Sequence, residues 1–203
     1  MHMSIYELKP RFQALLRPLV GKLHARKVTA NQVTLTACGI SVVLGLALYL
    51  LQASPGWFVL IPLWMFVRMA FNAIDGMLAR EFGQQSALGA FLNELTDVIS
   101  DAALYLPFAL LAPFSGFWLG MVIVLAGVSE FAGALGPSVG ASRRYDGPLG
   151  KSDRAFVFGL LGFIAAFWSL PDWTAYLLPL LALLLVVTIV NRVRRALGEL
   201  QPG

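Results

Sequence analysis

The chain has 203 residues, of which 58% are hydrophobic and only 13% charged, with 15 Lys and Arg against 11 Asp and Glu. That balance is too apolar for a soluble globule of this length, and it sets aside a soluble nucleic-acid binder despite the formal charge of +4. The apolar runs are long enough for helices crossing a hydrocarbon layer of ~30 Å, and the short alternating segments of a membrane β-barrel do not occur. A lone cysteine, Cys38, excludes an intrachain disulfide and a Cys-based metal site.

Residues 4–23 place Tyr6, Leu8, Phe12, Leu15, Leu16, Leu19 and Val20 among Lys9, Arg11, Arg17 and Lys22. Apolar spacings of three and four with basic residues between them describe an amphipathic helix lying in the membrane interface. Pro10 and Pro18 are expected to break it into two short pieces. No cleavable signal segment is expected, because the first long apolar run starts only after Ala30.

Six spans follow, at Asn31–Leu51, Trp57–Arg80, Ser86–Leu111, Phe114–Gly136, Asp153–Leu170 and Trp173–Arg192. Pro55-Gly56, Pro113 and Pro171 punctuate tight turns, and one longer loop covers residues 138–152. The expectation is an all-α polytopic membrane protein, one membrane domain over residues 1–203, with six transmembrane helices and an amino-terminal interfacial helix. Lys9 to Lys27, Arg80, Arg143, Arg144, Lys151, Arg154 and Arg192 to Arg195 fall on one set of loops, while the opposite turns carry no basic residue. By the positive-inside rule both termini face the cytoplasm.

Ionisable residues at membrane depth are costly and tend to be functional, which singles out the stretch from Arg68 to Asp101. Asn72, Asp75, Gly76, Ala79 and Arg80 share one helical face of the second span, and Gly89, Asn93, Asp97 and Asp101 recur every four residues on the third. Oxygen donors converging from two helices suit a hard cation such as Mg2+ or Mn2+. Gly76, Ala79 and Gly89 leave the faces bare, for helix contact or for a flat ligand. Arg68 lies about 18 Å along the helix from Arg80, at a depth where Asp101 could pair with it.

The spacing Asn72-x2-Asp75-Gly76-x2-Ala79-Arg80-x8-Gly89-x3-Asn93-x3-Asp97 resembles the signature of the CDP-alcohol phosphatidyltransferase family, D-x2-D-G-x2-A-R-x8-G-x3-D-x3-D, at six of eight positions. The six-span layout, the amphipathic amino-terminal helix and the Thr29-Ala30-Asn31-x-x-Thr34 lead-in are similar as well, with Ala30 where a proline is common. The resemblance implies transfer of a phosphatidyl group from CDP-diacylglycerol to an alcohol, releasing CMP, in phospholipid biosynthesis.

Carried over by position, it implies metal ligation by Asp75, Asp97, Asn72 and Asn93, and makes Asp97 the catalytic base. Asp75, Gly76, Ala79, Arg80 and Gly89 would hold the nucleotide. It further implies a homodimer in the cell inner membrane with its active site on the cytoplasmic side. Asn72 and Asn93 stand where the family has aspartate, which halves the ligand charge; Glu94 or Asp101 could substitute, although Glu94 points roughly 100° from Asn93.

An alternative is a relative that binds nucleotide or lipid without catalysis. A transporter would show repeated halves and broken helices, and neither is visible. Arg143, Arg144 and Lys151 in the loop either mark topology or hold the phosphate of an acceptor such as glycerol 3-phosphate or another polyol phosphate. Glu130 either lines the acceptor pocket or bonds a neighbouring helix.

Overall fold

A computed structural model describes residues 5–200, with side chains from Pro10 onward. The described residues form seven α-helices: α1 (Ile5–Ala25), α2 (Ala30–Leu50), α3 (Leu60–Glu81), α4 (Ala87–Tyr105), α5 (Gly116–Ala134), α6 (Lys151–Phe167) and α7 (Leu177–Glu199). Short 3-10 segments at Pro55–Val59, Leu106–Leu110, Gly136–Val139 and Asp172–Tyr176 join or extend them. Ser4, where the amphipathic helix was expected to start, lies outside the described residues, as do the side chains of Tyr6, Leu8 and Lys9.

Four helical stretches are long and apolar enough to cross a membrane by length and composition: Ala30–Leu50, Pro55–Glu81, Gly116–Ala134 and Asp172–Glu199. The other two expected spans differ for a chemical reason. α4 carries Glu94, Asp97 and Asp101 within 19 residues, and the 17-residue α6 opens with Lys151, Asp153 and Arg154. Leu35, Val43, Phe66, Phe117, Val124 and Leu183 are all half or more exposed, an outer surface suited to hydrocarbon rather than water.

The amino-terminal helix is a correction to the two-piece expectation. α1 continues through Pro10 and Pro18. Each proline removes one backbone donor, and both Pro18 and Ala14, whose carbonyl loses its partner, are exposed, so water or headgroups can satisfy that carbonyl. α1 packs on α3, where Val20 is fully buried against Ile74, Met77 and Leu78.

α2 begins in a capping box: the Gln32 amide donates to Thr29 Oγ1 (3.2 Å) while the Thr29 amide donates to Gln32 Oε1 (2.9 Å). Ala30, standing where a proline would have no amide hydrogen, donates its N–H to Gln84 Oε1 at 2.7 Å and so ties the α3–α4 turn to the start of α2. α2 then runs against α4. Their backbones meet at Gly45, where an added Cβ would lie 2.0 Å from the Ala103 carbonyl oxygen.

α3 packs on α2 and α6, and α5 packs on α7 and α4. The main apolar core gathers Phe58, Tyr105, Phe108 and Phe158 with leucines of α5 and α7; Tyr105 stacks on Phe158 with ring centroids 3.9 Å apart. This core lies beyond Asp101 along α4, so the polar residues are left at the α3–α4 turn end of the bundle.

Candidate active site

Two cavities of about 420 and 440 Å3 sit side by side where α2, α3, α4 and the loop before α6 converge. Asp75, Gly76, Ala79, Arg80 and Gly89 line the first, together with Asn31, Thr34 and Gln84. Asn72, Asp97, Lys151, Glu130 and Arg192 line the second. Asn93, Glu94 and Arg143 line both and so form the wall between them. The small residues of the signature therefore open a cavity rather than a helix contact, the latter being supplied by Gly45. The Arg80 guanidinium folds over Gly76, where an added Cβ would lie 2.9 Å from it.

Asp75 is buried, and Thr34 Oγ1 donates to its Oδ2 at 2.7 Å. This fixes the carboxylate's orientation from a neighbouring helix. Asp97 is less enclosed: Arg68 Nη2 donates to Oδ1 at 3.0 Å, and Lys151 Nζ forms an ion pair with Oδ2. Ser86 begins α4 by accepting the Gly89 amide at 3.0 Å, which sets the rotational phase of Asn93 and Asp97 on that helix.

The donors fit a hard divalent cation. Asp75 and Asp97 contribute carboxylates, Asn72 and Asn93 amide oxygens, and all four line the paired cavities. Among the described residues no three His, Cys, Asp or Glu side chains form a metal-binding group, so a cation held here would need amide as well as carboxylate oxygens. Asp101 is engaged in ion pairs: its Oδ1 accepts from Arg68 Nη1 at 2.7 Å, and Arg154 reaches its Oδ2 at 3.4 Å. Glu94 is held by Arg143. It lines both cavities beside Asn93 in spite of its different angular position on α4, because the loop carrying Arg143 reaches that side of the helix.

The loop basics divide. Arg143 and Lys151 line the second cavity. Arg144 is among the lining residues of neither; its Nε donates to Asp146 Oδ2 (2.8 Å) and its Nη1 to Glu199 Oε2 (2.9 Å). Arg195 Nη1 also donates to Asp146, at 2.9 Å, and Ser142 Oγ donates to Glu199 Oε2 at 2.8 Å. Gly147, at φ +128°, lets the loop touch Thr188 on α7. Arg144 thus fastens the loop that presents Arg143. The Asp146 carboxyl is held below its ordinary pKa by the hydrogen bond and charge of Arg144, with Arg195 adding to it.

In the sequence Arg154 and Arg192 carry only a topology signal. They are 1% and 2% exposed. Arg154 Nη2 pairs with Glu130 Oε1 at 3.0 Å, and Arg192 Nη1 with Glu130 Oε2 at 3.4 Å and with the Ser129 carbonyl. A chain of buried charge, Arg68–Asp101–Arg154–Glu130–Arg192, therefore links five helices and reaches the second cavity at Glu130 and Arg192. Basic residues at a helix end look alike in sequence whether they face headgroups or turn inward; the acids Asp101 and Glu130, unmatched on their own helices, were the one available hint.

A membrane-suited helix bundle with one cavity lined by small residues and oxygen donors, adjoining another lined by both acidic and basic side chains, is a setting suited to a membrane transferase of phosphorylated substrates. The chain belongs to the CDP-alcohol phosphatidyltransferase family, enzymes of phospholipid biosynthesis: a model of that family matches residues 27–190.

It is 45% identical over 196 residues to inner membrane protein YnbA of Escherichia coli K12, covering 96% of this chain and 97% of that one. It is also 30% identical over 162 residues to archaetidylinositol phosphate synthase of Aeropyrum pernix, covering 73% and 77% of the two chains. The fold is similar to that of phosphatidylinositol phosphate synthase of Mycobacterium tuberculosis with CDP-DAG bound, with TM-score 0.75, 23% identity, and 92% and 96% of the two chains covered. The same enzyme has been solved with manganese and citrate.

Proposed function

We propose that the chain transfers a phosphatidyl group from CDP-diacylglycerol to the hydroxyl of a phosphorylated polyol, glycerol 3-phosphate or a related alcohol, with release of CMP. One observation carries this reading: two cavities share a wall at Asn93, Glu94 and Arg143, with Asp75 in one and Asp97 in the other. A two-substrate displacement needs such an arrangement, donor and acceptor meeting at a common boundary.

Gly76, Ala79 and Gly89 leave room for the cytidine nucleotide, and Arg80 stands over its phosphates. Lys151 and Arg143 receive the acceptor's phosphate, on a loop that Arg144 holds in place. Asp97, facing the acceptor cavity, takes the proton of the attacking hydroxyl; the new oxygen–phosphorus bond forms as the bond to CMP breaks. A Mg2+ or Mn2+ ion held by Asp75, Asp97, Asn72 and Asn93 would neutralise charge on the diphosphate and the departing CMP.

The relatives named as synthases of inositol phosphate lipids support a phosphorylated polyol as acceptor. On this reading α4 and α6 also cross the bilayer, giving six spans with α1 in the interface, since their charges turn inward to partners. Both termini and the cavities then face the cytoplasm across the inner membrane, and the enzyme works as a homodimer. A panel of alcohol acceptors with CDP-diacylglycerol, with lipid products followed by mass spectrometry, tests it. A phosphorylated polyol should give a new phospholipid and CMP, and Lys151→Ala should raise the acceptor KM by about tenfold or more. Turnover of unphosphorylated alcohols alone would overturn the acceptor assignment.

A further inference from the structure

The wall between the two cavities is an ion pair. Glu94 on α4 meets Arg143 on the loop, and both line the cavity on either side. The pair is not sealed in the core: the two side chains are 30% and 27% exposed, respectively. Nor is Arg143 saturated by Glu94. Its guanidinium lies 4.8 Å from the centroid of the Tyr145 ring, and its buried Nε makes no hydrogen bond among the described residues. Glu94 meets the guanidinium at Nη1, and a guanidinium carries five N–H donors, so the partly exposed head can serve a second anion.

We infer that Glu94 is an internal competitor for the anionic acceptor at Arg143: it holds the partition closed, and an incoming phosphate monoester exchanges for its carboxylate and opens the path between the cavities. This rests on the acceptor reading given above. The exchange needs little net energy, because one charge-assisted contact to Arg143 replaces another while Glu94 turns toward the open cavity mouth. It also gives the closed state a purpose. Until an anion engages Arg143, the acceptor cavity and the nucleotide cavity are separated by a charged side-chain bridge, so water has a poorer approach to the bound diphosphate. A neutral alcohol lacks the charge to displace Glu94.

The experiment uses the full chain in detergent micelles with inorganic phosphate as the probe, followed by isothermal titration calorimetry. Glu94→Gln, nearly isosteric, removes the competitor and keeps Arg143; phosphate should bind about fivefold tighter than to the unmodified chain. Arg143→Gln removes the site, and phosphate should bind about tenfold weaker or more. A purely structural ion pair would weaken phosphate binding in both variants, so the opposite signs are the diagnostic. Glu94→Ser serves as a second variant with the same expected direction should Glu94→Gln not be obtained folded.

In a parallel assay, CMP release from CDP-diacylglycerol without acceptor should rise in Glu94→Gln, about threefold or more. Unchanged or weaker phosphate binding in both Glu94 variants overturns the inference, whatever the transferase activity. Tighter binding in a chain that transfers phosphatidyl groups to no acceptor sustains the competition at Arg143 and overturns the transferase reading instead.

Discussion

The chain holds its charges in two ways. In the deep set, Arg68, Asp101, Arg154, Glu130 and Arg192 are between 1% and 8% exposed, and of these Glu130 and Arg192 reach the lining of the second cavity. Asp101, Arg154 and Glu130 each bridge two oppositely charged neighbours from other helices. At the cavities, Glu94, Asp97, Arg143 and Lys151 are 20–31% exposed, and the two loop cations each meet one carboxylate. The deep set cannot change partners without leaving a buried charge uncompensated, so it works as a brace between helices that lack a soluble protein's hydrophobic drive to associate. The shallow set can exchange, because water and substrate anions can replace either partner. Function in this fold follows that gradient of exchangeability more than the mere presence of charge in the membrane.

The sharpest way to break the comparison is to remove a bridging acid. Asp101→Leu leaves both Arg68 and Arg154 short of a partner and should cost about 3–5 kcal/mol, read as a steep drop in the thermal unfolding midpoint in micelles. Pairing it with Arg68→Leu should recover only part of the loss, because Arg154 still lacks its second acid. If Asp101→Leu costs no more than a surface pair, the deep set is not a brace.

Next in size is the close contact of α2 and α4. Gly45→Leu drives a side chain into the Ala103 carbonyl and should destabilise by about 1–3 kcal/mol, while leaving Mn2+ affinity of the surviving folded fraction unaltered. At the cavities, Asn93→Asp restores a carboxylate and should tighten Mn2+ binding about tenfold, measured by competition with a fluorescent chelator. A weaker affinity would show that Asn93 is no ligand.

The smallest effect concerns the loop clasp. The Asp146 carboxyl, depressed by Arg144, stabilises the folded loop above its unfolded pKa of about 3.9, and that contribution is lost as pH falls through the lower folded value. Hydrogen-exchange protection at residues 142–147, taken relative to the intrinsic rate at each pH, should fall below about pH 4. Asp146→Asn should remove this dependence and cost less than about 1 kcal/mol.

Much of this was legible in the sequence because it depends on helical phase alone. Spacings of three and four put Asp75 with Gly76 and Arg80, and Asn93 with Asp97, before any packing is known. The rise per residue likewise placed Arg68 at the depth of Asp101. What the sequence hid depends on which element lies opposite. Arg154 and Arg192 sit at helix ends, where a basic residue usually marks topology, and only the ion pairs that α6 and α7 make to α5 show them turned onto Glu130. Arg143 and Arg144 are adjacent and chemically identical, yet one faces the cavities and the other clasps α7. The continuity of α1 through two prolines was hidden for the same reason, since the cost of a proline depends on whether its freed carbonyl is exposed.

The most direct test of the central claim is CMP release from CDP-diacylglycerol by the purified chain, with Mn2+ and a phosphorylated polyol, compared with Asp97→Asn. The arrangement of Asp75 and Asp97 across the shared wall predicts release that requires metal, is strongly stimulated by the acceptor and falls by about 10²-fold or more in Asp97→Asn. Release of equal rate in Asp97→Asn, or no metal-dependent release with any acceptor, would contradict it.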